Sequence, residues 1–252
     1  MRKPLTYFSY ALLSLAIILG GCGSEISPTT GEQSTEIENS AVQEVLATTP
    51  VYTRTEKVSL PDEAKQLLID GNERFTAGKP LIKDFSFTRR SDLLKNGQHP
   101  FAVIVCCSDS RVPPEHLFDQ SLGDLFVVRV AGNVVTPIEL GSVEYAVEHL
   151  KTPLVVVLGH EECGAVSAAV QGGETHGSIA AIIDKIKPAV EGARAMGTTG
   201  KELIEASTDL NIQNALRDIL KSPIIKEGVE ANQVNVLGLK YDLDEGVLEL
   251  IY

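Results

Sequence analysis

Three short, nearly continuous apolar runs constrain this chain most: residues 101–107, 125–130 and 154–158. A strand with one wet face alternates apolar and polar side chains. A run that stays apolar, rich in Val and Ile and only a few residues long, suits a strand covered on both faces. Between the second and third runs, residues 138–150 read as a helix. Strand, helix and strand in that order predict parallel pairing through a right-handed crossover. The expected fold class is α/β, a central, mostly parallel β-sheet flanked by helices. The chain has 252 residues, 43% of them hydrophobic, which is enough for one sizeable core.

Other segments fit that frame. Pro61 with Asp62 and Glu63 opens a helix, since Pro suits the first turn and acids suit the helix N-terminus. Leu67, Leu68 and Phe75 share its apolar face, and Gly78 and Pro80 end it. Helical stretches are expected at 161–171, at 179–190, where Pro188 bends or ends the helix, and at 201–221. Residues 234–241 and 247–251, joined through Asp244, Glu245 and Gly246, predict a hairpin.

The N-terminus reads as a targeting segment. Arg2 and Lys3 precede an apolar run at 10–19, too short to span a bilayer. It closes on Leu19-Gly20-Gly21-Cys22, which resembles a bacterial lipobox, the cysteine being the one that receives lipid. The expected organisation is a lipoprotein signal peptide at 1–21, a flexible tether at 22–58 starting at lipidated Cys22, and a folded domain at 59–252. Residues 23–58 are rich in Ser, Thr, Glu, Gln and Pro and lack an apolar period. Multiple acyl chains on Cys22 would hold the protein stably on a membrane, outside the cytoplasm, in the periplasm or on the cell surface of a bacterium.

Three further cysteines remain: Cys106, Cys107 and Cys163. Cys106 falls inside the first apolar run and reads as a small buried residue. Cys107 closes that run, His160 follows the third, and Cys163 lies just beyond. In parallel sheets, ligands collect outside the carboxyl ends of the strands, so both segments reach one edge. Two thiolates and an imidazole suit zinc, and three protein ligands leave the fourth position open, as in catalytic zinc sites. The spacing of His160 and Cys163 predicts that both stand on one side of a helix start. Asp109 either closes the fourth position or turns to Arg111, whose fork can hold a carboxylate through two parallel hydrogen bonds.

The formal charge of −12 offers no basic stripe, so nucleic acid is excluded as a partner. The chain has no Trp and few aromatic residues, which disfavours stacking platforms for bases or sugars. It also has no Cys-x-x-Cys pair, which argues against thiol redox chemistry.

Cys107-Ser108-Asp109-Ser110-Arg111 followed by His160, Cys163 and Gly164 resembles the β-class carbonic anhydrases. Residues 111–115, 123–133, 142–145 and 157–160 also resemble family segments. The resemblance implies reversible hydration of carbon dioxide to bicarbonate and a proton. It implies Zn²⁺ on Cys107, His160 and Cys163, and Asp109 with Arg111 as the catalytic dyad. It further implies Gln98, Phe126 and Gly164 around the substrate, and assembly as a homodimer or tetramer in which the helix opening at Pro61 packs on a partner. Glu161 and Glu162 depart from the family pattern, which carries Ser or Thr after the ligand histidine. His99, His116 and His176 are candidate proton carriers by pKa range alone. Two other functions share this pattern: hydrolysis of carbon disulfide or carbonyl sulfide, and non-catalytic binding of zinc and bicarbonate.

Overall fold

A computed structural model describes residues 51–252. The signal peptide, Cys22 and the tether as far as residue 50 lie outside the described residues.

The sheet has five strands in the order β4-β3-β5-β6-β7. They are β3 (Ala102–Cys106), β4 (Leu125–Arg129), β5 (Leu154–His160), β6 (Asn235–Tyr241) and β7 (Leu248–Leu250). The first four run parallel and β7 returns antiparallel along β6, as the hairpin pattern predicts. A separate parallel pair joins β1 (Val51–Tyr52) to β2 (Ile82–Lys83). The helices are α1 (Pro61–Thr76), α2 (Phe87–Asn96), α3 (Pro114–Leu117), α4 (Pro137–Glu148), α5 (Gly164–Gln171), α6 (Ile179–Ala195), α7 (Gly200–Leu220) and α8 (Pro223–Glu230).

Every residue of β3 and β5 is buried, which is why both read as unbroken apolar runs. Alternate side chains serve opposite layers. Val103, Val105, Val155 and Val157 pack under α4, α7 and α8, against Val143, Ala146, Ile212, Leu216 and Ile225. Ala102, Ile104, Cys106, Leu154, Val156 and Leu158 pack on the other side, against Ala64 and Leu68 of α1 and against Leu117 and Phe118. Cys106 is fully buried in this second layer, as expected from its place in the run.

Two glycines set how closely α7 lies on the sheet. A Cβ on Gly159 of β5 would stand 2.5 Å from Ile212 Cδ1. One on Gly238 of β6 would stand 2.7 Å from Leu216 Cδ1 and 2.9 Å from Ile212 Cγ2. Real Cβ atoms do not approach so closely, so the missing side chains let Ile212 seat directly on the strands.

Three expectations need correction. The tether expected at 22–58 ends sooner, because residues 51–58 pack on the domain. Val51 and Tyr52 pair with β2, Arg54 Nε reaches buried Asp124 at 2.9 Å, and Val58 is buried. Two paired residues and one ion pair leave no periodic trace in sequence. The helix expected from 161 starts at Gly164, because Glu162 adopts a left-handed φ of 50° that a helix cannot contain. Pro188 does not end its helix: α6 continues through it to Ala195, giving up one backbone hydrogen bond.

Candidate metal centre

β3 and β5 are hydrogen-bonded neighbours, with Cys106 paired to Leu158. Their carboxyl ends therefore sit side by side, with Cys107 just past the first and His160 as the last residue of the second. The chain then turns through Glu161 and Glu162, and Cys163 caps the N-terminus of α5. His160 and Cys163 are thus brought together by a left-handed turn between strand and helix, and not by one helical turn.

The sulfurs of Cys107 and Cys163 and a ring nitrogen of His160 all lie within 4.8 Å of one another. All three residues are buried. His160 Nδ1 lies 2.8 Å from the Glu161 carbonyl, which can only accept, so Nδ1 carries the proton. Nε2 is then a bare lone pair, buried and without any hydrogen-bond partner. Leaving a buried acceptor unpaired costs about 1–3 kcal/mol. A cation held between this nitrogen and the two sulfurs removes that deficit. The residues present therefore fit zinc: borderline-soft donors and a tautomer fixed from behind.

The thiols are unequal. The hydrogen bond from Cys163 lowers the Cys107 pKa to about 4, helped by the backbone N–H groups of Gly132 and Asp109, against the opposing effect of burial. Giving that hydrogen bond, together with burial, pushes Cys163 upward. Burial, with smaller help from the charges of Cys107 and Glu115, drives Cys106 up to about 12, as suits a packing residue.

Asp109 lies two residues beyond Cys107. Both of its oxygens are engaged by Arg111, Nε to Oδ1 at 3.0 Å and Nη2 to Oδ2 at 2.8 Å, and the Arg111 backbone N–H adds 2.9 Å to Oδ1. Arg111 holds the Asp109 carboxyl well below the usual carboxylate range. Asp109 Oδ2 stands 3.9 Å from His160 Nε2, so the carboxylate borders the donor set while facing its arginine.

The two acids that depart from the family pattern have separate roles. Glu161 Oε1 accepts the Leu243 N–H at 2.7 Å and fastens the turn to the segment after β6. Glu162 is exposed, 3.7 Å from Lys201 Nζ, and its carbonyl accepts from Arg111 Nη2 at 3.4 Å.

Gly164 begins α5 beside Cys163, at the site. Gln98 does not join it within this chain: it is exposed in the loop leading into β3, at the opposite end of the strand from Cys107. Phe126 pairs with Val103, well back along the sheet, with its ring 6.3 Å from that of Tyr145. His99, His116 and His176 are exposed. Sequence reasoning missed Arg129. From the end of β4 it donates to the Cys107 carbonyl at 3.1 Å and the Asp109 carbonyl at 2.6 Å, holding the loop that carries both residues. Its only trace in sequence is a charge inside an apolar run.

A family model described as carbonic anhydrase matches residues 102–248, which contain the whole site. A carbonic anhydrase of Mycolicibacterium smegmatis is 40% identical over 197 residues, covering 76% of this chain and 94% of that protein. Among solved structures, the β-carbonic anhydrase CcaA is 30% identical with a TM-score of 0.57, covering 75% of this chain and 87% of that one. A tetrameric β-carbonic anhydrase of Sordaria macrospora shares the fold at 24% identity and a TM-score of 0.59, covering 87% of this chain and 97% of that one.

Proposed function

This chain belongs to the β-class carbonic anhydrases, enzymes of carbon dioxide hydration, and from that premise we propose that it works as a zinc enzyme tethered by lipid outside the cytoplasm. The observation that carries the zinc reading is the unpartnered, buried Nε2 of His160 beside the sulfurs of Cys107 and Cys163.

Zinc held by these three residues supplies a Lewis acid that makes water a nucleophile near neutral pH. The chain's own residues do the rest. Arg111 keeps Asp109 ionised and fixes its plane. Asp109 is then an acceptor beside the donor set, able to accept a hydrogen bond from an attacking water and aim its lone pair at carbon dioxide. Arg129 holds the backbone of the same loop, so ligand and acceptor move as one. Burial of all three ligands keeps bulk water from competing for them.

The anchor rests on the lipobox resemblance at Cys22 and on the polar segment that follows it. Assembly into a homodimer or tetramer is supported by the tetrameric Sordaria macrospora relative and by exposed apolar side chains such as Ile138 and Tyr145. Stopped-flow hydration of carbon dioxide by zinc-loaded protein tests the activity; bound zinc with a rate no better than buffer overturns it. Cys22→Ser tests the tether: the variant should leave the membrane fraction, and one that stays there removes the lipid reading.

A further inference from the structure

Cys107 is held by more than its own strand. The turn Ala131–Asn133 follows β4 and brings the Gly132 N–H to Cys107 Sγ at 3.3 Å. Gly132 has a φ of 70°, and a Cβ there would stand 2.7 Å from Ile186 Cδ1. Glycine is therefore required, and its torsions are the softest in the turn. Something else must fix the direction in which its N–H points.

That restraint comes from Asn211. Its Nδ2 donates to the Gly132 carbonyl at 2.8 Å, with both groups buried. The Gly132 N–H belongs to the peptide before its Cα and the carbonyl to the peptide after it. Holding the second while the turn holds the first leaves Gly132 one conformation. Asn211 is itself placed by its neighbour Ile212, which seats against Gly159, the residue before His160.

We infer that Asn211 is a positioning residue for the metal centre: acting through Gly132, it aims an amide donor at the Cys107 sulfur and draws charge off that ligand. The inference rests on Cys107 being a metal ligand. Hydrogen bonds around a ligating group orient it and tune the metal, and their loss typically costs about 10- to 100-fold in metal affinity or activity.

Cobalt-loaded protein reads this without recourse to turnover. Asn211→Leu removes the donor, and Asn211→Asp keeps the volume while setting a carboxylate against the Gly132 carbonyl. Ser207→Ala is the control: it removes a buried hydroxyl on the same helix that bonds only the Leu203 carbonyl. Both Asn211 variants should show the thiolate-to-cobalt absorption moved to longer wavelength, and cobalt lost to a chelator about 10- to 100-fold more readily. Ser207→Ala should match the parent in both. Asn211 variants that melt earlier but keep the parent's absorption and affinity overturn the inference and leave Asn211 a packing residue. If Asn211→Leu does not fold, Asn211→Asp decides by the same two readouts. A parent protein that takes up no cobalt removes the ligand role of Cys107 and this inference with it.

Discussion

Arg111 ties Asp109 to the far side of the centre. It grips both carboxylate oxygens, at 3.0 and 2.8 Å, and its Nη2 also reaches the Glu162 carbonyl at 3.4 Å. One guanidinium thus spans the loop after β3 and the turn after β5. Lysine is a point charge and cannot reproduce the fork. Arg111→Lys should lower kcat/KM for carbon dioxide hydration roughly 100-fold, the lower range for a positioned acid–base group. Zinc content should not change. Measured zinc loss would instead make Arg111 part of the ligand scaffold.

The two adjacent cysteines should behave as opposites. Cys107→Ser should lose bound zinc by elemental analysis, and activity with it, since its thiolate is the ligand in the proposed centre. Cys106 points into the α1 layer and is fully buried. Cys106→Ala should keep its zinc and lose about 1 kcal/mol of stability, the scale of a small core truncation. Zinc retained in Cys107→Ser would show the metal site to be misassigned.

Gly159→Ala tests the close seating of α7. The added methyl would stand 2.5 Å from Ile212 Cδ1, so the helix must move or Ile212 must leave its rotamer. Overpacking of this kind costs about 1–3 kcal/mol, readable as a shift in urea midpoint. An unshifted midpoint would mean that the helix gives way freely.

Asp119 predicts a pH dependence of stability. It is buried, with Arg74 Nε at 2.5 Å, Lys83 Nζ, and the Leu81 N–H at 3.2 Å. Burial alone would raise its pKa, but the bonds from Lys83 and Arg74 outweigh it and the net shift is downward. A lowered folded pKa gives stability that is present above the unfolded value, about 3.9, and is lost as pH falls through the folded one. The stability difference between the parent and Asp119→Asn should be widest near neutral pH and close below about pH 4. A difference that stays constant from pH 7 to pH 3 would rule out the ion pairs as its source.

The sheet and the meeting of Cys107, His160 and Cys163 were legible because each depends on local pattern. β3 and β5 are buried on both faces, so their sequences carry no polar interruption, and parallel strands place Cys107 and His160 at one edge without further information. What stayed hidden depends on contacts between distant segments. Arg129 and Asn211 act on backbone atoms of another segment, and nothing in the sequence beside them marks the target. The turn at Glu162 needs a left-handed residue, yet Glu has no preference for that region, so the run from 161 reads as helix. Gln98 and Phe126 came from family resemblance, and the single chain leaves both away from the metal ligands. Residues 51–58 look like the tether because two short strand residues and one buried ion pair are too little to form a pattern.

The pairing of β3 with β5 has a consequence for how the chain is kept folded. The segment between Cys107 and His160 includes β4 and α4, so a metal ion bound by both residues closes a long loop much as a disulfide would. Such a crosslink disfavours the open chain, and more so the longer the loop. Because the ion binds only the folded arrangement, the gain grows with free metal, to about 4 kcal/mol at a thousandfold excess over Kd. Metal supply would then govern how long the protein survives as well as how fast it turns over, and a chelator should lower its unfolding midpoint.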